Sequence, residues 1–128
     1  MSDNNTILPE RSFLKVSIPV TDYCLADCVG SMYRVVFRVN IFNDSRLSVR
    51  LMARKWTIVD NWDNMHIIEA DHVFGTYPVL APGGVFSYGG MRDFSSLPKR
   101  MELRIVGADQ LLVPFISKPC YVTVREHK

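Results

Sequence analysis

The sequence predicts an all-β protein, a single sandwich of roughly seven to eight short antiparallel strands. Two observations carry this expectation. Apolar and polar residues alternate along segment after segment, the period of two that turns one face of a strand inward and the other to water, and no segment offers a convincing helical period. Between these segments stand clusters of Pro, Gly, Asn and Asp, the residues that make tight turns. With 128 residues there is room for one domain that buries its own core without disulfide staples. We expect a flexible N-terminal arm over residues 1–12 and the sandwich over 13–125.

Leu14, Val16, Ile18 and Val20 alternate with Lys15, Ser17, Pro19 and Thr21 in the first strand, where Pro19 implies an edge or a bend. Tyr23 to Ser31 reads as a loop. Val35, Phe37, Val39 and Ile41 form the inward side of the clearest strand, which Asn43-Asp44-Ser45 ends. From Leu47, Val49 and Leu51 the apolar set lies on odd positions, yet Trp56 and Ile58 lie on even ones. One residue inserted between Leu51 and Trp56, a β-bulge, accounts for the change of phase; two short strands are the alternative.

Asp60-Asn61-Trp62-Asp63-Asn64 closes a hairpin and Met65 to Ala70 returns from it. Pro78 keeps Tyr77 extended, and Ala81-Pro82-Gly83-Gly84 places Pro second and Gly third in a turn that needs a positive φ at its third residue. Val85 to Tyr88 follows as a strand that Gly89-Gly90 stops, Met91 to Lys99 has a loop composition, and Arg100 to Ile105 is a strand with a charged outer side. Gly107-Ala108-Asp109-Gln110 reads as a turn, and Leu111 to Ile116 and Tyr121 to Val124 as the last strands.

Composition narrows the function. Fifteen basic and 13 acidic residues leave a formal charge of +2, which argues against nucleic acid as a partner on bulk electrostatics. No apolar run reaches about 18 residues, so no membrane span is expected, and the polar, mixed-charge Met1 to Ser12 does not resemble a secretory or transit peptide. A cytoplasmic or nuclear location is the expectation. Cys24 and Cys28, with His72 as a conceivable third ligand, lack the spacing and second ligand pair of a zinc site, so no metal or other cofactor is expected. Cys120 reads as a small apolar filler.

Several side chains stand out as candidates for a surface that binds a partner or an anion. Trp62 sits at a hairpin tip with polar residues on both sides, whereas Trp56 reads as the core tryptophan between the sheets. Arg50 and Arg54, with Lys55, fall around the bulge, and Arg34, Arg38, Arg100 and Arg104 alternate along two strands. Were those two strands neighbours in one sheet, their outer sides would form a guanidinium ladder for phosphate, carboxylate or an acidic segment. Tyr77 and His72 join the candidates; His72 stands next to Asp71, but with no nucleophile at a meaningful spacing no catalytic residue is assigned.

Arg54-Lys55-Trp56-Thr57-Ile58, then Val73-Phe74-Gly75-Thr76-Tyr77-Pro78-Val79-Leu80-Ala81-Pro82-Gly83, then Phe86 and Tyr88, form an ordered series of motifs that resembles the ApaG domain family over roughly Tyr33 to Val122. The resemblance implies an immunoglobulin-like, or fibronectin type III-like, sandwich. It also implies a function in association, since ApaG-like modules occur alone and attached to larger proteins, among them F-box substrate receptors and a polymerase-interacting protein. Bacterial members are linked to cobalt and magnesium tolerance and to diadenosine polyphosphate metabolism. Where the family carries G-x-G-x-x-G, this chain has Ala70-Asp71-His72-Val73-Phe74-Gly75 and keeps only the last glycine.

The leading expectation is a non-catalytic protein-binding module that uses loops, an exposed strand edge and an Arg-rich face, with the edge also offering a route to a homodimer. The alternative is a binder of phosphorylated or nucleotide-type ligands such as a dinucleoside polyphosphate or pyrophosphate. A hydrolase of such compounds ranks last, because it needs a metal-holding cluster that the spacing does not supply.

Overall fold

The computed structural model describes residues 7–25, 33–122 and 125–126. Among them the chain is all-β: β1 (Glu10–Arg11), β2 (Leu14–Leu25), β3 (Tyr33–Asn43), β4 (Val49–Val59), β5 (Met65–Ala70), β6 (Val79–Leu80), β7 (Val85–Phe94), β8 (Arg100–Asp109), β9 (Pro114–Ser117), β10 (Cys120–Val122) and β11 (Arg125–Glu126). One sheet runs β1-β9-β8-β4-β5, with β10 on β8 and β6 on β4; the other runs β11-β2-β3-β7. The two face each other as an immunoglobulin-like sandwich. The pairings are antiparallel except those of the short β1 with β9 and β11 with β2, which are parallel. Glu10 and Arg11, placed by the sequence in a flexible arm, thus belong to the large sheet.

The core follows from the alternation. Val35, Phe37, Val39 and Ile41 of β3 face Leu51, Trp56 and Ile58 of β4 and Met101, Leu103 and Ile105 of β8, all buried. Trp56 is only 4% exposed and meets Phe37 edge to face, ring centroids 5.2 Å apart at 62°. The phase change lies where it was expected. Leu51 pairs with Gly107 and Ala53 with Val106, so Met52 is the bulged residue, and the strand runs on as one. In β2, a register shift between Ser17 and Val20 brackets Pro19, which has no N–H for a ladder.

Four boundaries differ from expectation. β2 continues through Tyr23 to Leu25 because β3 pairs with it to that end; residues 26–32 lie outside the described residues. β7 runs through Gly89 and Gly90 to Phe94, since β3 supplies a partner for the whole length. The last turn is at Asp109–Val113, so Gly107 is inside β8 and Leu111 to Val113 precede β9. Last, β10 is Cys120 to Val122.

Both misplaced glycines serve the core. A Cβ on Gly90 would stand 2.7 Å from the Phe37 ring, its cross-strand partner, and one on Gly107 would stand 2.9 Å from the ring of its partner Phe115. The Pro82-Gly83 turn is as expected, with Gly83 at φ 82° and Gly84 N–H donating to Ala81 C=O at 2.8 Å. Asn43 is more than a turn former. Fully buried, its Nδ2 donates to the carbonyls of Leu47, Leu80 and Ala81, and its Oδ1 accepts from the backbone N–H and hydroxyl of Ser45. The side chain ties the β3–β4 turn to the segment that leads into β7.

Candidate functional site

The tip that carries Trp62 is built by Asp60. Its Oδ1 accepts from the backbone N–H groups of Trp62 and Asn64, both at 2.9 Å, and its Oδ2 lies 3.1 Å from His66 Nε2. The His66 hydrogen bond above all, then the two N–H groups, hold the Asp60 carboxyl down at about 2. Asp60 N–H donates to Asn64 C=O, Asp63 N–H donates to Asp60 C=O, and Asp63 adopts a φ of 64° that its short polar side chain tolerates. Lys99 Nζ reaches Asp63 at 2.7 Å, and Asn61 Nδ2 donates to Leu97 C=O. All five residues of the loop are hydrogen-bonded, Trp62 through its backbone alone, and Trp62 is 71% exposed.

The tip continues into β5, the last strand of the large sheet, whose far side has no partner among the described residues. Asp60 bonds Asn64, so the alternation of an antiparallel ladder directs the backbone groups of His66, Ile68 and Ala70 toward β4 and those of Met65, Ile67 and Glu69 to the open edge. Met65 and Ile67 are exposed on the outer side of the sheet. On the inner side, His66 and Ile68 form one lip of an open groove of about 620 Å3, and Arg92 and Phe94 of β7, the terminal strand of the small sheet, form the other. Trp62 stands at its end.

Beyond β5 the chain makes a tight turn that covers the same flank. Val73 and Thr76 bond each other in both directions, Val73 is fully buried, and Phe74 and Gly75 take φ values of 52° and 73°. His72 Nδ1 accepts the Gly75 N–H at 2.8 Å. The Phe74 ring stacks on Tyr88, centroids 5.3 Å apart. The Tyr88 hydroxyl is buried without a hydrogen-bond partner of good geometry; burial raises its pKa, and the charge of the nearby Arg54 opposes the rise. This is the segment that stands in place of the glycine-rich motif. Its Val73, Gly75 and Thr76 N–H groups are already engaged within the turn, so they are not turned out as an anion cradle.

The arginines do not form one surface, although Arg54 and Arg104 line a common cleft with Lys55, beside Glu10 and Glu69. Arg34 and Arg38 belong to the small sheet and Arg100 and Arg104 to the large one, so the two strands are not neighbours and no guanidinium ladder forms between them. Arg34 pairs bidentately with Asp93, at 2.8 and 3.0 Å, and lowers the pKa of that carboxyl. Arg104 pairs with Glu10 and donates to Ser117 C=O at 3.1 Å. Arg50 lies on the exposed side of β4, opposite Ala108 and Val79; Arg54 lies beside Tyr88; Arg38 and Arg100 are exposed; Tyr77 is half exposed in the loop before β6. Among the described residues no group of three or more His, Cys, Asp or Glu is placed to hold a metal ion, while Cys28 lies outside them. Burial pushes the Cys120 thiol up. The structure leaves the Trp62 side chain exposed, and it exposes Met65, Ile67 and Phe74, which sequence reasoning did not single out, on the same flank.

Among the described residues, fold and surface together define a small all-β domain with a flank that carries an unpartnered strand edge, an exposed tryptophan and an open groove. Residues 29–103 match the ApaG domain family, and the chain belongs to that family. The match ends within β8, short of Val122, to which the sequence motifs were expected to extend. It is 34% identical over 71 residues to the protein ApaG of Deinococcus radiodurans, 56% of each chain, and 34% identical over 89 residues to that of Parvibaculum lavamentivorans, 69% of this chain and 62% of that one. The chain spans about half the length of the curated relatives it matches. The crystal structure of a putative ApaA protein from Bordetella pertussis superimposes with a TM-score of 0.74 at 20% identity, covering 93% of this chain and 98% of that one, which shows the shared fold. No helix among the described residues is long and apolar enough to cross a membrane.

Proposed function

We propose that this ApaG domain is a non-catalytic association module that works in the cytoplasm and engages another polypeptide through the β5 edge and the Trp62 tip. The exposure of Trp62 on a fastened loop carries the reading. Asp60 spends three hydrogen-bonding contacts on holding a turn whose central side chain packs little against its own domain. An aromatic ring held rigid before it docks loses little entropy on binding, the property of an interface anchor. The backbone groups of Met65, Ile67 and Glu69 add the hydrogen bonds of an incoming strand. The half-buried, unpaired Cys120 suits a reducing compartment.

The test is affinity capture with the parent protein and the Trp62→Ala variant. The variant is expected to melt within about 2 °C of the parent, because an exposed side chain contributes little to the fold, and to lose its bound partner. Undiminished capture by Trp62→Ala would remove the tip from the interface.

A further inference from the structure

The geometry points to a second copy of this chain as an occupant of the β5 edge. This deepens the association reading and rests on it. Natural sheet edges are blunted by Lys, Pro, a bulge or a covering loop. β5, Met65-His66-Ile67-Ile68-Glu69-Ala70, has none of the first three, pairs with β4 without a register shift, and leaves Met65, Ile67 and Glu69 exposed.

The strand is self-complementary about Ile67. Two copies related by a two-fold axis normal to the sheet pair antiparallel, and both outer faces stay on one side. In that arrangement only residues of the same parity face one another. Centring the axis on Ile67 places Ile67 opposite Ile67 of the second copy and Met65 opposite its Glu69, and these are the residues whose N–H and C=O groups point to the open edge. The pairing makes about six backbone hydrogen bonds; moving the axis to Ile68 leaves about four. Within β5 no like charges meet, and on the inner side His66 meets Ile68 of the second copy; just beyond the strand Asp63, whose carboxylate Lys99 holds at 2.7 Å, falls level with Asp71 of the second copy.

The same operation places another exposed feature. In this register Trp62 falls level with His72 of the second copy, where the chain turns through the exposed Phe74. One symmetry axis therefore brings three side chains separately exposed on a single chain, Ile67, Met65 and Trp62, opposite Ile67, Glu69 and His72 of the other copy.

Sedimentation of the parent across the micromolar range is expected to show a concentration-dependent dimer. Because the axis passes through residue 67, Ile67→Lys and Ile67→Glu each place two like charges face to face. Both variants are expected to sediment as monomers at concentrations that leave the parent mostly dimeric, and an equimolar mixture of the two to regain a dimer of one Lys and one Glu chain. Equal melting temperatures at low concentration will show that the substitutions leave the fold intact. A parent that stays monomeric overturns the proposal, as does a mixture that stays monomeric, which places the axis elsewhere. A monomeric parent whose partner capture still depends on Trp62 removes the second copy and retains the association module; a self-pairing parent whose capture ignores Trp62 does the reverse.

Discussion

Asp60 and Asp109, at opposite ends of the large sheet, build the same turn. Each carboxylate accepts the N–H groups of the residues two and four positions on, each backbone N–H donates to the carbonyl four residues on, and each residue three on has a φ of 64°. The occupant of that left-handed position differs. At the first turn it is Asp63, a residue that tolerates it, and at the second it is Leu112, which is 85% exposed and packs little of its side chain in return. Leu112→Gly is therefore expected to stabilise the domain by about 1 kcal/mol, a rise of about 3 to 5 °C in Tm, and Asp63→Leu to lower stability by a similar amount. Thermal melts of the two variants check both signs.

Acid should loosen the Trp62 hairpin at a defined place on the pH scale. The folded Asp60 carboxyl titrates at about 2 against an ordinary 3.8, so its contribution is fully present above about pH 4 and is lost as pH falls through about 2. Asp60→Asn keeps an acceptor oxygen and removes the titration. Melts of parent and variant from pH 5 to pH 2 should converge toward the acid end, with the parent losing more.

A methyl group at Gly90 or Gly107 has no room. Gly90→Ala must displace the Phe37 ring, which rests against Trp56, and is expected to cost about 1 to 3 kcal/mol. Gly107→Ala meets Phe115 and, at 3.0 Å, the carbonyl oxygen of Arg50. A backbone atom yields less readily than a ring, so the second variant should be the less stable of the two in urea titrations.

Asn43→Ala should be among the most damaging single changes on the β3–β4 side. It takes the Asn43 donor from the buried Leu80 carbonyl and from those of Leu47 and Ala81, the last of which keeps the Gly84 N–H, and a buried carbonyl that loses a partner costs about 1 to 3 kcal/mol. A loss of about 2 kcal/mol or more by chemical denaturation is the expected outcome, with Asn43→Asp no better, because a carboxylate cannot donate to those carbonyls.

Alternation made the sandwich legible. Val35 to Ile41 and Arg100 to Ile105 alternate cleanly because water lies on one side of each strand and the opposing sheet on the other, and the even–odd slip called for a bulge somewhere between Leu51 and Trp56, which the structure puts at Met52. Gly90 and Gly107 misled for a physical reason. A glycine read along the chain marks a turn, whereas these two make room for rings that arrive from a neighbouring strand, a cross-strand relation that sequence order does not display. The same holds for the arginines: periodicity set Arg38 and Arg104 on outer faces, but only the topology puts those faces in different sheets. Trp62 was legible because its neighbours are polar. Phe74 was not, because its place over Tyr88 depends on Val73 being drawn into the core.

The sandwich has two unlike flanks. On one, the sheets end in β1 and β11, the first and last strands of the described chain, each laid parallel on its neighbour. On the other they end in β5 and β7, with the groove between them. Polypeptide joined beyond β1 or β11 thus departs from the margin opposite the one that β5 and β7 form. Under the association reading proposed above, a partner docked at β5 and a segment joined beyond β1 or β11 fall on separate margins of the domain and do not compete for space.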